Sequence, residues 1–189
     1  KIIANEFSET IANIVEGVTK INDIEFNSQE DRQASNFRKM LLSVANDIRV
    51  IIVKFADRLN NMRTLDAMPK SKQKRISLET RDVYAPLAHR LGMYKIKSEL
   101  EDLSFKYLQS NQYKFLKKQV LKNKKSFDEY INKFKKIIHN SLIENNISAK
   151  ILGRTKNLSS INKKMNHQNK KLDEIFDILA IRILVDKVS

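Results

Sequence analysis

Apolar positions recur at steps of three and four residues through most of the chain, a period that predicts helices rather than strands. Residues 4–15 carry Phe7, Ile11, Ile14 and Val15 in helical step, predicting an amphipathic helix that stops at Gly17. Residues 19–28 are polar and read as a loop. Residues 29–45 set Phe37, Met40, Leu41 and Val44 on one side of a further helix. Asp47 is a suitable cap for a helix over 48–65, which ends before Pro69. The helical step continues over 71–90 through Ile76, Val83 and Leu87, with a kink expected at Pro86 and a stop at Gly92. Residues 96–108 form another amphipathic stretch. Residues 112–144 read as one long helix, striped by Phe127, Ile131, Phe134, Ile138 and Leu142.

The pattern changes after Asn146. Residues 148–152 look extended, 159–165 make one or two helical turns, and 179–186 alternate like a strand. That strand needs a sheet, and no partner is evident before the chain stops, so an internal fragment is expected. The expected fold is mainly α: an incomplete all-helical domain, then the beginning of an α/β domain, with a boundary near 146. The layout is 1–108 helical, 109–146 a linking basic helix, and 147–189 the start of the second domain. There is no internal repeat.

Composition agrees with long helices, since 3 glycines and 2 prolines are too few for a loop-rich or all-β chain. The absence of cysteine excludes disulfides and thiolate metal sites. No apolar run approaches the roughly 20 residues of a membrane span. The chain opens on Lys1 without a visible signal peptide, and a cytoplasmic protein is the expectation. The net charge of +14 is concentrated: residues 111–171 hold 16 lysines and arginines against 3 acidic residues. Such a block fits a phosphate-rich partner, nucleotide or nucleic acid. Over 114–136 a solvated lysine-rich helix accounts for it equally well.

Two groups of residues carry candidate chemistry. On the helix over 48–65, Ile48, Ile52, Phe55, Leu59 and Met62 cluster on one side, while Asp57, Asn61 and Thr64 stack on the other. Residues 50–53 are apolar nearly all round, which predicts a central, well-buried helix. A carboxylate on such a helix must be paired or bound to a metal. Spacing alone leaves an ion pair with Arg58 or Arg63 ahead of a ligand role. In the second group, Arg154 and Lys156 point the same way if extended, and Ser160 and Lys164 share a helical face. Two cations, a hydroxyl and a helix start make a reasonable polyphosphate cradle, or merely a basic loop. Asp177, at a strand start, reads by itself as a solvated turn residue.

The runs Ile14-Val-Glu-Gly-Val-Thr-Lys20, Lys54-Phe-Ala-Asp-Arg-Leu-Asn-Asn-Met-Arg-Thr-Leu65, Arg75-Ile-Ser-Leu-Glu-Thr80 and 84–107 closely resemble the RelA/SpoT family of alarmone synthetase-hydrolases. So do Gly153-Arg-x-Lys-x-x-x-Ser-Ile-x-x-Lys164 and residues 173–185. The resemblance implies an HD-type hydrolase domain, in which Mn²⁺ activates water to remove the 3′ pyrophosphate of ppGpp or pppGpp. It then implies a nucleotidyltransferase-like synthetase domain, which transfers pyrophosphate from ATP to GDP or GTP with Mg²⁺. On that resemblance Asp57 is a Mn²⁺ ligand, and Asn61 and Thr64 contact guanosine. Arg154 stacks on adenine, Lys156, Ser160 and Lys164 hold the ATP phosphates, and Asp177 binds Mg²⁺.

The sequence also departs from the family pattern. The histidines present, His89, His139 and His167, match none of the family's metal ligands, and Asn60 stands where a histidine is usual. Thr155 and Asn157 are less common at their positions. The resemblance implies further ligands before Lys1 and further synthetase residues after Ser189, so the fragment by itself is expected to be inactive. The Asp57-Arg-Leu59 wording favours a parent that retained hydrolysis. The alternatives are a catalytically silent regulatory or ribosome/RNA-binding member, and a generic HD phosphohydrolase.

Overall fold

The computed structural model describes residues 2–20, 47–175 and 177–186. The helix expected over 29–45 and nearly all of the polar segment 19–28 lie outside the described residues. The chain divides into two compact units, Lys1–Leu108 and Gln109–Ser189. It is mainly α, with one two-stranded sheet among the described residues. Among those residues no helix is long and apolar enough to cross a membrane.

The first unit opens with α1 (Ile2–Glu6) and α2 (Glu9–Lys20). The single helix expected over 4–15 is therefore two. Ser8 interrupts it, and the Ser8 hydroxyl accepts the Ile11 N–H at 3.2 Å, capping α2. Gly17 does not stop the helix. A Cβ there would lie 2.9 Å from Val50 Cγ2, so this glycine permits close packing rather than a turn.

Helix α3 (Ile48–Arg63) begins as expected at Asp47, whose carboxylate accepts the Arg49 N–H at 2.9 Å. Its buried side chains are Val50, Ile51, Lys54, Phe55 and Met62, whereas Ile48, Ile52 and Val53 are about half exposed. The buried face is thus rotated from the expected one. The first turns are apolar on every side, so periodicity could not choose among faces; packing did. Ile51, Phe55 and Met62 join Leu65, Val83, Tyr84, Leu87, Ala88 and Leu100 in the core of this unit.

Helix α4 (Lys70–Glu79) and helix α5 (Ala85–Arg90) are joined by a π-helical turn over Thr80–Tyr84. The Ala85 N–H reaches back five residues to the Thr80 carbonyl. Pro86 has no N–H and its ring crowds the carbonyl four residues earlier, so the widened turn absorbs the disruption expected there. Gly92 ends α5 in the left-handed region at φ 72°. The Met93 N–H bonds Ala88 O at 2.8 Å, as in a Schellman closure. Helix α6 (Tyr94–Leu108) completes the unit and buries Leu100 and Phe105.

In the second unit the long helix expected over 112–144 is broken. Helices α7 (Ser110–Lys122) and α8 (Lys124–Glu144) meet at Asn123, which sits at φ −91°, ψ 2°. Asparagine is weak in helix interiors because its side chain competes for backbone hydrogen bonds. Strand β1 (Ala149–Thr155) pairs antiparallel with β2 (Leu179–Val185), in a register that sets Ala149 opposite Val185 and Thr155 opposite Leu179. The partner that sequence reading missed for the last strand is therefore the extended segment 24 residues before Leu179 and earlier. Between the strands lies α9 (Leu158–Gln168), capped by Asn157 and closed by Asn169 at φ 49°.

Candidate functional site

In the first unit, α3 presents Asp57, Asn61 and Thr64 to solvent, all three exposed. The helix was expected to be central and well buried, but on the side opposite its apolar cluster, where Asp57 stands, it is open to solvent. The residues foreseen as its ion-pair partners are committed elsewhere. Arg58 turns inward, bonds both Glu79 carboxylate oxygens at 3.2 Å and lies 3.9 Å from the centroid of the Tyr84 ring. Arg63 pairs with Glu99 at 2.6 Å. The Thr64 hydroxyl donates to Asn60 O at 3.0 Å, closing the end of the helix.

Beside this face lies a group that sequence reading did not assemble: the buried Lys54 and Tyr84 with the partly buried Arg58 and Glu79. Burial holds the Lys54 ammonium below the usual lysine range, opposed by the nearby Asp57 carboxylate. Burial also pushes the Tyr84 phenol up, partly offset by the Arg58 guanidinium. The one sequence signal for this group was a lysine and an arginine four apart beside an apolar run. Among the described residues no three histidine, aspartate or glutamate side chains gather to hold a metal ion. Asp57 thus offers one hard oxygen donor, suited to a divalent ion but insufficient alone.

In the second unit, the sheet register carries the chain into a second group. Beyond the Thr155–Leu179 pair the Lys156 N–H bonds Ile178 O at 2.8 Å, which sets Lys156 beside Asp177. The Lys156 ammonium contacts Asp177 Oδ2 at 2.8 Å, and the Lys164 ammonium from α9 reaches the same oxygen. Desolvation and the adjacent Lys156 hold Lys164 below the usual lysine range. Asn157 accepts the Ser160 N–H at 3.3 Å, and Ser160 lies one turn before Lys164 on α9.

Lys156, Lys164 and Asp177 are therefore in direct contact. Arg154 is exposed on β1 and makes no hydrogen bond or ion pair with them among the described residues. Asp177 is not a merely solvated turn residue, since two ammonium groups neutralise it. Chemically the group is a pair of cations beside a helix start, with one carboxylate able to receive a divalent ion. A separate cleft of about 530 Å³, walled by Phe115, Phe127 and Met165, includes none of the residues nominated from the sequence.

The chain is a helical unit followed by a basic segment with one two-stranded sheet, and family models match part of each. The HD domain family model matches residues 1–94, and the region found in RelA / SpoT proteins matches residues 153–189. The chain belongs to the RelA/SpoT family. It is 46% identical over 181 residues to a probable guanosine-3′,5′-bis(diphosphate) 3′-pyrophosphohydrolase of Synechocystis sp., covering 95% of this chain and 24% of that protein. It is also 46% identical to a GTP pyrophosphokinase of Myxococcus xanthus, covering 94% of this chain and 24% of that protein. A bifunctional (p)ppGpp synthase/hydrolase SpoT of Escherichia coli is 42% identical, over 95% of this chain and 26% of its own length. The chain thus spans about a quarter of the length of the curated relatives it matches.

Proposed function

We propose that the whole protein both removes the 3′ pyrophosphate of ppGpp and pppGpp and makes these nucleotides by transferring pyrophosphate from ATP to GDP or GTP. The observation that carries the reading is the meeting of Lys156, Lys164 and Asp177, in a segment matched by the RelA/SpoT region. Relatives named for each activity support both halves.

In synthesis Lys156 and Lys164 bind the ATP phosphates by charge-assisted contacts, with the Ser160 hydroxyl one turn away. Arg154 lies flat against adenine. The Asp177 carboxylate is the acceptor for a divalent ion, Mg²⁺ in this reading. In hydrolysis Asn61 and Thr64 orient the guanosine, and Asp57 supplies one anionic ligand on the same helix face. A bound divalent ion, Mn²⁺ here, supplies Lewis acidity that lowers the pKa of water and neutralises the departing pyrophosphate. Among the described residues Asp57 stands without further ligands gathered around it, and the 189-residue chain alone is expected to release no pyrophosphate from ppGpp. The protein works in the cytoplasm.

The test is Asp57→Asn in the whole protein, which keeps size but loses the anionic ligand. Hydrolysis of ppGpp should be lost with synthesis largely intact. Equal loss of both activities in a folded protein would show that Asp57 is structural or couples the domains.

A second reading, a silent member whose basic helices bind ribosomal RNA, draws on the exposed Lys114, Lys117, Lys118, Lys122, Lys124 and Lys125 of α7 and α8. RNA affinity falling steeply with salt, with neither enzymatic activity, would favour it.

A further inference from the structure

One carboxylate oxygen of Asp177 takes both the Lys156 and the Lys164 ammonium groups. The residue suited to a divalent cation is therefore occupied by the two residues suited to phosphate. A bare cation approaching Asp177 meets two positive charges on the oxygen it needs, and like charges so close raise its energy. A polyphosphate changes this, because its oxygens offer the lysines stronger, multiply charged acceptors. Once the lysines turn to the phosphates, Asp177 is released, and the same phosphates add oxygen ligands for the cation.

We propose that Lys156 and Lys164 guard Asp177, so that this subsite takes a divalent cation only together with a nucleotide polyphosphate. The proposal rests on the reading of the second unit as an ATP site, and it adds a coupling to that reading. The cation and the nucleotide each strengthen the other's binding, because each removes a partner that the other would have to displace. The geometry sets the size of the effect. The three side chains are partly exposed, Asp177 by 52%, Lys156 by 26% and Lys164 by 35%, so solvent moderates the competition.

The experiment follows binding of Mn²⁺, as a paramagnetic probe ion, to this chain by the loss of the free-ion signal. All proteins carry Asp57→Asn, so that the first unit does not contribute. One carboxylate holds a bare divalent ion only weakly. From that low affinity Lys164→Met should bind Mn²⁺ alone about five- to tenfold more tightly than its parent, as expected for removing one partly exposed charged contact. Lys156→Met should shift affinity in the same direction. Adding Asp177→Asn should abolish the gain. Circular dichroism checks that each variant folds, and the lysines' partial exposure makes the substitutions mild.

A Lys164→Met chain whose affinity for Mn²⁺ alone is unchanged or weaker overturns the guard, as does a gain that survives Asp177→Asn. A second arm adds a non-hydrolysable ATP analogue, with the Mn²⁺ that the analogue binds by itself measured in a protein-free control and subtracted. The parent should then bind Mn²⁺ at least tenfold more tightly, and Lys164→Met should lose most of that enhancement. If no variant responds to the analogue while Lys164→Met still gains in the first arm, the guard stands and the ATP reading fails.

Discussion

No side chain can stand at position 153 while Ile131 keeps its place, because a Cβ on Gly153 would lie 2.2 Å from Ile131 Cγ2. Ile131 is buried on α8 and Gly153 is in the middle of β1, opposite Ile181. This contact sets how closely the helix lies on the strand that leads into Arg154 and Lys156. Gly153→Ala should therefore destabilise the second unit by about 1–3 kcal/mol through overpacking. Pairing it with Ile131→Ala should cost less than the sum of the two single changes. Urea denaturation of the four proteins in the cycle measures the coupling, and strict additivity would mean that the clash relaxes elsewhere.

Asp57 and Arg58 are neighbours in sequence with opposite surroundings. Asp57 is exposed, while the Arg58 side chain is only 13% exposed and clasped by Glu79 and Tyr84. Asp57→Asn should change stability by less than about 1 kcal/mol, since the exposed carboxylate has only a solvent-screened interaction with the Lys54 ammonium. Arg58→Ala should cost about 2–4 kcal/mol, because it strands Glu79 and uncovers Tyr84. A thermal or chemical melt compares them directly. A large loss from Asp57→Asn would mean that its carboxylate holds the fold together.

Lys163 and Lys164 test positioning against bulk charge. Lys164 touches Asp177, whereas Lys163 points about 100° away around α9. In the whole protein, Lys164→Ala should slow synthesis roughly ten- to a hundredfold by removing a charge-assisted phosphate contact. Lys163→Ala should be tolerated. Comparable rates for both variants at two salt concentrations would favour a diffuse basic patch.

Lys54 makes a prediction about pH. Burial holds its folded-state pKa below the usual 10.5, so between those two values the unfolded chain binds more protons than the folded one. Stability contributed by this site therefore rises with pH across that window and levels off above 10.5. Lys106 runs the other way: its hydrogen bond to Asp66 raises its pKa, and that stabilisation is lost as pH climbs through the raised value. Lys54→Met should flatten the alkaline rise and leave the Lys106 decline in place. Identical stability–pH slopes for Lys54→Met and its parent, from denaturation at several alkaline pH values, would exclude Lys54 as the source.

Much of the fold was legible because it is local. The Asp47 cap, the Gly92 stop, the disturbance at Pro86 and the shared face of Ser160 and Lys164 depend on hydrogen bonds or steric contacts within about one helical turn. The family wording was equally legible, since it is carried by residue identity at fixed spacing. What the chain could not declare by itself is non-local. Periodicity cannot tell which side of Val50–Val53 meets the core, and the answer came from packing against Val83, Leu87 and Leu100. Arg58 passes over the adjacent Asp57 for Glu79, 21 residues away, because both α4 and the Tyr84 ring are brought against its inner face. Asp177 meets Lys156 and Lys164 across 21 and 13 residues only because the β1–β2 register and α9 bring their backbones together. Sequence spacing along one helix or strand states which residues share a face; which faces then meet is decided by tertiary contacts, whose geometry no local period encodes.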